Sequence, residues 1–170
     1  RNRIEIRTHD LTAALSDLLL NRLGRIDAIV HFAADSHVDT SIAHPRKVIE
    51  NNVAVTLSIL DAAIKLKPSI VIQVSTDEVY GPPTDDTGHA EWSAVLPSNP
   101  YSASKAAQEA AAIAYWRTYS VPVVIANAMN CIGERQHPEK FLPMVIRAVL
   151  RGQTVPIHAS EVGVSGSRNY

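Results

Sequence analysis

Thr76-Asp77-Glu78 places a hydroxyl and two carboxylates in three consecutive residues, directly after Ser75 and the apolar run Ile70-Val71-Ile72-Gln73-Val74. Further along, Tyr101 and Lys105 set a phenol and an ammonium four residues apart, in a stretch that reads as the first turns of a helix. Residues at i and i+4 share one helical face. The spacing therefore predicts Lys105 beside Tyr101. A close ammonium favours the phenolate and lowers a phenol pKa that starts near ~10. An acid pair with an activated phenol suits proton and hydride chemistry.

The elements that must position these groups are read from periodicity and breakers. Ile4-Glu5-Ile6 alternates as a short strand, and Leu11 to Leu23 carries the apolar spacing of an amphipathic helix closed by Gly24. Ile26 to Phe32 is a nearly continuous apolar run, the signature of a strand buried on both faces. The small residues Ala33-Ala34-Asp35-Ser36 follow it. Pro45 opens a long helical pattern that Pro68 ends, and Ser69 to Val74 is the next strand. Residues 81 to 99 are rich in turn formers and read as a long surface loop, of the kind that usually serves a site. Pro100 starts a helix running to about Tyr119. Val121 to Ala126 is a third strand, Pro138 to Arg151 a helix, and Thr154 to His158 a short strand. Alternating strands and helices predict an α/β fold, a Rossmann-like doubly wound parallel sheet with helices on both faces. Ligands in such sheets bind beyond the carboxyl ends of the strands. Ala33 to Ser36, Thr76 to Glu78 and Asn130 all fall there.

Composition excludes several classes. Lys and Arg total 16 against 17 Asp and Glu, which leaves neither a basic nucleic-acid surface nor an acidic tail. The single cysteine, Cys131, excludes an internal disulfide and points to a reducing, cytoplasmic compartment. No apolar run approaches the ~20 residues of a membrane span. His31, Asp35, His37 and Asp39 cluster in sequence, but their spacing suits no common metal site, so no metal is expected. His31, inside an apolar strand, reads as a core histidine.

Read together, His31 to Asp39, Ser75 to Gly81, Tyr101-Ser102-Ala103-Ser104-Lys105 and Pro138-Glu139-Lys140 resemble the extended short-chain dehydrogenase/reductase superfamily. Within it they resemble the NAD-dependent epimerase/dehydratases that dehydrate dTDP-glucose at C4 to C6. The Asp-Glu pair after Ser-Thr is the discriminating feature, because related epimerases typically lack it. The resemblance implies NAD as cofactor and a nucleotide-sugar substrate. It implies catalytic roles for Thr76, Asp77, Glu78, Tyr101 and Lys105. Tyr101 takes the 4-hydroxyl proton, Thr76 holds the 4-ketone, Glu78 removes the C5 proton and Asp77 protonates the departing 6-hydroxyl. Cofactor contacts are implied for Asp10, Leu11, Phe32, Ala33, Ala34, Asp35, Ser36, Asn51, Ser75, Tyr101, Lys105 and Cys131. Substrate contacts are implied for Ser36, His37, Thr76, Asn130, Lys140, Val155, Pro156, Ile157, His158 and Arg168. In an extended strand Asp77 and Glu78 would face opposite ways. Serving one hexose therefore requires residues 77 to 80 to curl into a helical turn.

The chain also departs from that family. Asp35 replaces a Glu, Thr40 an Arg, Asn51 a Thr and Cys131 an Asn, while Ile132 and Glu134-Arg135 replace aromatic and Pro-Tyr positions around Gly133. None of the seven glycines forms the Gly-x-x-Gly-x-x-Gly loop that cradles a pyrophosphate. The expectation is a unit incomplete at both ends, with residues 1–127 as a partial NAD-binding domain and 128–170 as the start of a nucleotide-sugar region. A homodimer through the helices starting at Pro45 and Tyr101 is implied by the resemblance. A nucleotide-sugar epimerase or decarboxylase remains an alternative. So does an inactive fragment that acts only by protein binding.

Overall fold

The structure is a computed structural model that describes residues 3–83, 88–138 and 140–155. Its elements in order are α1 (Asp17–Leu23), β1 (Ala28–His31), α2 (Val38–Ala43), α3 (Pro45–Leu66), β2 (Ile70–Thr76), a 3-10 turn (Asp77–Tyr80), α4 (Pro100–Tyr119), β3 (Val123–Ala128) and α5 (Phe141–Leu150). The strands form one parallel sheet in the order β1-β2-β3, with Ile29 opposite Val71 and Val71 opposite Val123. The sequence therefore folds as the α/β unit its alternation predicts. Parallel pairing brings all three carboxyl ends to one edge.

Because side chains alternate along a strand, Ile29, Val71, Val123 and Ile125 share one face. That face meets Leu60, Ala63 and Ile64 of α3 and Ala111, Ala112 and Tyr115 of α4. Leu60 is 1% exposed, worth about 1.5–3 kcal/mol against leaving it in water. Alanines at 62, 63 and 112 are buried, so α3 and α4 lie close. Between them runs a polar seam. Gln108 Nε2 donates to Asn52 O at 2.9 Å and Thr56 Oγ1 at 2.7 Å, and Asn52 Nδ2 donates to Ser104 Oγ at 2.8 Å. His31 lies 3.1 Å from Thr56 Oγ1, and burial pushes its pKa down to about 4. It is a neutral core histidine, as its strand position suggests.

Several expectations are corrected here. Among the described residues Ile4-Glu5-Ile6 pairs with no strand, and it is exposed. The first helix starts at Asp17, not Leu11, because Ser16 caps it there by accepting from Leu19 N at 3.2 Å. β1 is shorter than its apolar run and is not buried on both faces; Val30 is 50% exposed. Both long helices sit on one face, and on the other Val30 and Val124 are about half exposed. α5 is confined to Phe141–Leu150, and Thr154 and Val155 form no strand. α2 has no counterpart in the sequence reading. Among the described residues, no helix is long and apolar enough to cross a membrane.

Candidate active site

β2 ends on Thr76, and the chain then curls as the carboxylate pair requires. Thr76 Oγ1 accepts from Glu78 N at 3.3 Å, capping the 3-10 turn, and donates to Asp77 Oδ1 at 3.2 Å. Coiling replaces the opposed directions of a strand, so Asp77 and Glu78, both half-buried, act together on the Tyr101 phenol. Gly81 closes the turn with φ 77 and ψ −175, a region essentially restricted to glycine. A Cβ there would overlap the Leu96 carbonyl oxygen, where the long loop returns to bond Leu96 N to Val79 O at 2.9 Å. Gly81→Ala is expected to cost about 2–4 kcal/mol in a denaturant titration, from strain plus overlap.

Tyr101 sits in the first turn of α4, which starts where Pro100 and a full capping box place it. Asn99 Oδ1 accepts from Ser102 N at 2.9 Å, and Ser102 Oγ accepts from Asn99 N at 3.2 Å. From α2, Ser41 Oγ accepts from Tyr101 N at 3.1 Å. The Asn99 side chain also reaches the carboxylate pair, where its Nδ2 donates to Glu78 Oε2 at 3.3 Å. Burial raises the Glu78 carboxyl above its ordinary value and Asp77 adds to this, while Asn99 and Lys140 pull it back. Serine caps helices about as well as asparagine but is too short to reach Glu78. Asn99→Ser should leave α4 intact and move the Glu78 titration upward, as read by carboxyl-carbon NMR.

The expected activation of Tyr101 by Lys105 is not what the structure shows. Burial, then Glu78 and Asp77, push the phenol up to about 12. The Lys105 ammonium points elsewhere and donates to the Val74 carbonyl at 2.7 Å. Helical spacing puts the two residues on one face, but the carbonyls at the end of β2 decide where the ammonium goes. Burial lowers Lys105 to about 8, with Glu109 opposing. A buried, shifted lysine on the same helix as a shifted phenol and a shifted carboxyl is a pattern typical of active sites.

The profile of the NAD dependent epimerase/dehydratase family matches residues 2–167. The chain belongs to that family. A trifunctional UDP-glucose 4,6-dehydratase/3,5-epimerase/reductase of Arabidopsis thaliana is 44% identical over 137 residues, covering 78% of this chain and 20% of the plant protein. The dTDP-glucose 4,6-dehydratase DesIV of Streptomyces venezuelae, crystallised with NAD, superposes with a TM-score of 0.79 at 44% identity, covering 88% of this chain and 45% of that one. A UDP-N-acetylglucosamine 4-epimerase of Methanobrevibacter ruminantium superposes with a TM-score of 0.77 at 28% identity, covering 90% and 49%. The chain spans less than half the length of each of these relatives.

Within this epimerase/dehydratase domain, the remaining sequence-derived positions fall as follows. Phe32 to Ser36 follow β1, with Phe32 exposed. Asn52 clamps Asp35 there, accepting from its N–H at 2.7 Å and donating to its carbonyl at 3.0 Å. His37 stands at the N-cap of α2. Asp10 Oδ1 accepts from Thr12 N and Oγ1 at 3.0 and 2.7 Å, and Leu11 is half-buried beside it. Asn51 lines a groove with Thr12, His44 and Glu50 that includes neither Asp77 nor Glu78. Lys140 lies close enough to Glu78 to shift it, whereas Asn130 and Cys131 are exposed after β3. Val155 ends the described chain, and Pro156, Ile157, His158, Arg168 and Glu139 lie outside the described residues.

Sequence reasoning missed Asn52, Asn99, Glu109 and Asn127. Asn52 had a signal, a polar residue on the apolar face of a helix. Asn99 had another, an Asn directly before a helix-opening Pro.

Proposed function

We propose that this chain carries the acid–base centre of an NAD-dependent nucleotide-sugar 4,6-dehydratase, which converts a dTDP-glucose-like hexose to its 4-keto-6-deoxy form. One observation carries the reading: two consecutive carboxylates, curled onto one side of a strand end, both act on the phenol of a half-buried tyrosine. Oxidation at C4 alone needs only the tyrosine. Loss of water across C5 and C6 needs a base and an acid as well, and the turn supplies both.

The residues fit the cofactor. Among the described residues the Lys105 ammonium has one hydrogen-bond partner, Val74 O, so it retains donors for a sugar diol. Lys105, Tyr101, Ser75 and the Phe32 to Ser36 segment, with Asp10, Leu11, Asn51 and Cys131 farther out, would hold NAD at the strand ends. When bound, NAD would supply a hydride acceptor for C4 and a hydride donor for C6. Tyr101 takes the 4-hydroxyl proton. Thr76 donates to the new 4-ketone, which acidifies the C5 proton. Glu78 removes that proton and gives one back to C5 once C6 has been reduced; a raised carboxyl, once ionised, is a stronger base. Asp77 protonates the 6-hydroxyl as it leaves. Ser36, His37, Asn130, Lys140, Val155 to His158 and Arg168 would hold the nucleotide-sugar. On this reading 1–127 is the cofactor-binding part and 128–170 begins the substrate region.

The same reading pairs two copies through the helices starting at Pro45 and Tyr101. Ile113, Trp116 and Tyr119 expose large apolar surface on the second of these, which supports it.

The experiment is calorimetric titration of the chain with NAD, then with dTDP-glucose. Sequential binding of both, with NAD affinity lost in Lys105→Met, supports the proposal. A chain that binds neither would not carry this site in working form. The 4-epimerase reading has the fold likeness behind it, but leaves the carboxylate pair without work.

A further inference from the structure

Behind the site lies a buried carboxylate that the proposed reaction does not use. Glu109 is 8% exposed and sits one helical turn beyond Lys105 on α4. Its Oε1 accepts from Ser75 Oγ, at the end of β2, and from Asn127 Nδ2 of β3 at 2.7 Å. Asn127 Nδ2 also donates to Thr76 O at 3.3 Å. One carboxylate oxygen thus ties the end of β2, from which the catalytic turn departs, to the end of β3 beside it.

We propose that Glu109 is a positioning residue of the site: the counter-charge that keeps buried Lys105 in its ammonium form while fixing the ends of β2 and β3 in front of it. The proposal rests on the dehydratase reading for its purpose, since the ammonium is what would hold the cofactor. Its physical content does not. Burying an ammonium disfavours its charged form unless an opposite charge lies near. Lys105 is 4% exposed, and its one hydrogen-bond partner among the described residues is a neutral carbonyl.

The charges around this pair are few. Lys105 acts on His31 of β1, Glu109 acts on Tyr80 of the 3-10 turn, and Asp77 and Glu78 of that turn act on Tyr101. α2 presents Ser41, α3 presents Asn52 and Thr56, and β2 and β3 present Ser75 and Asn127, all uncharged. Among the described residues Glu109 supports the Lys105 charge, and Lys105 in turn draws Glu109 down against its burial.

Gln at 109 keeps an oxygen for Ser75 and Asn127 and removes only the charge, so a purely structural peg would be left in place. The test is carbon-13 NMR titration of the unliganded chain labelled at lysine Cε, with Lys105→Met identifying the resonance. The midpoint in the parent chain is expected near 8. In Glu109→Gln it should fall by about one pH unit or more, and in Glu109→Asp it should stay near the parent value. The parent chain should also show a second, smaller inflection of the Lys105 signal on the acid side, as Glu109 protonates. That measurement decides the matter even where Glu109→Gln does not fold. An unmoved midpoint in Glu109→Gln, or a parent titration without the acid-side inflection, overturns the proposal. No substrate is turned over, so this result stands or falls separately from the dehydratase reading.

Discussion

Glu78→Gln is expected to slow conversion of a dTDP-hexose by about 10²- to 10⁴-fold, the range typical for removing a positioned general base. Gln is nearly isosteric with Glu, and its amide oxygen can still accept from Asn99 Nδ2, so the turn and the helix cap persist. What disappears is the capacity to take the C5 proton. Substrate affinity should change little, which places the loss in kcat. The pH dependence follows from the same residue. Burial raises the Glu78 carboxyl and the proposed mechanism needs it ionised. The rate should therefore rise with pH through that raised value and fall on its acid side. Steady-state rates across pH check both points, and Glu78→Gln should lose the acid limb along with the rate.

Tyr101→Phe should remove a comparable factor of about 10²–10⁴, because the proposed mechanism assigns the 4-hydroxyl proton to this phenol. In the unliganded structure the phenol is pushed up to about 12, so its resting form at neutral pH is protonated. For Tyr101 to act as a base, binding of cofactor and substrate must lower that value. By linkage, any ligand that lowers it binds more tightly as pH rises. NAD affinity should therefore increase on the alkaline side in the parent chain and lose that dependence in Tyr101→Phe. Ultraviolet difference titration with and without NAD reads the phenol directly.

Some of this was legible in the residues alone and some was not, for identifiable reasons. The bounds of α4 follow from Asn99 and Pro100, because capping and a fixed φ are local signals. The 3-10 turn at 77 to 80 followed from a geometric demand, since adjacent carboxylates serve one substrate only when the strand stops. The helix start at Leu11 failed because periodicity reports what could be buried, not what has something to pack on. Leu18 is 63% exposed, and Ser16 sets the start instead. The Tyr101–Lys105 relation failed for a tertiary reason. An i,i+4 spacing fixes a shared face, but the Val74 carbonyl on another element took the ammonium. Glu109, four residues past Lys105, reads in sequence as one more charge on a helix; only the sheet behind it makes it a buried link.

The most direct test of the proposed reaction is mass spectrometry of the product formed from dTDP-glucose and NAD in deuterium oxide. Removal of the C5 proton by Glu78, loss of the 6-hydroxyl and return of the C4 hydride to C6 predict one product. It is lighter than the substrate by one water and carries solvent deuterium at C5. A product of unchanged elemental formula, differing only in configuration at C4, would contradict the account. It would mean that Tyr101 works without the carboxylate pair, as in a 4-epimerase.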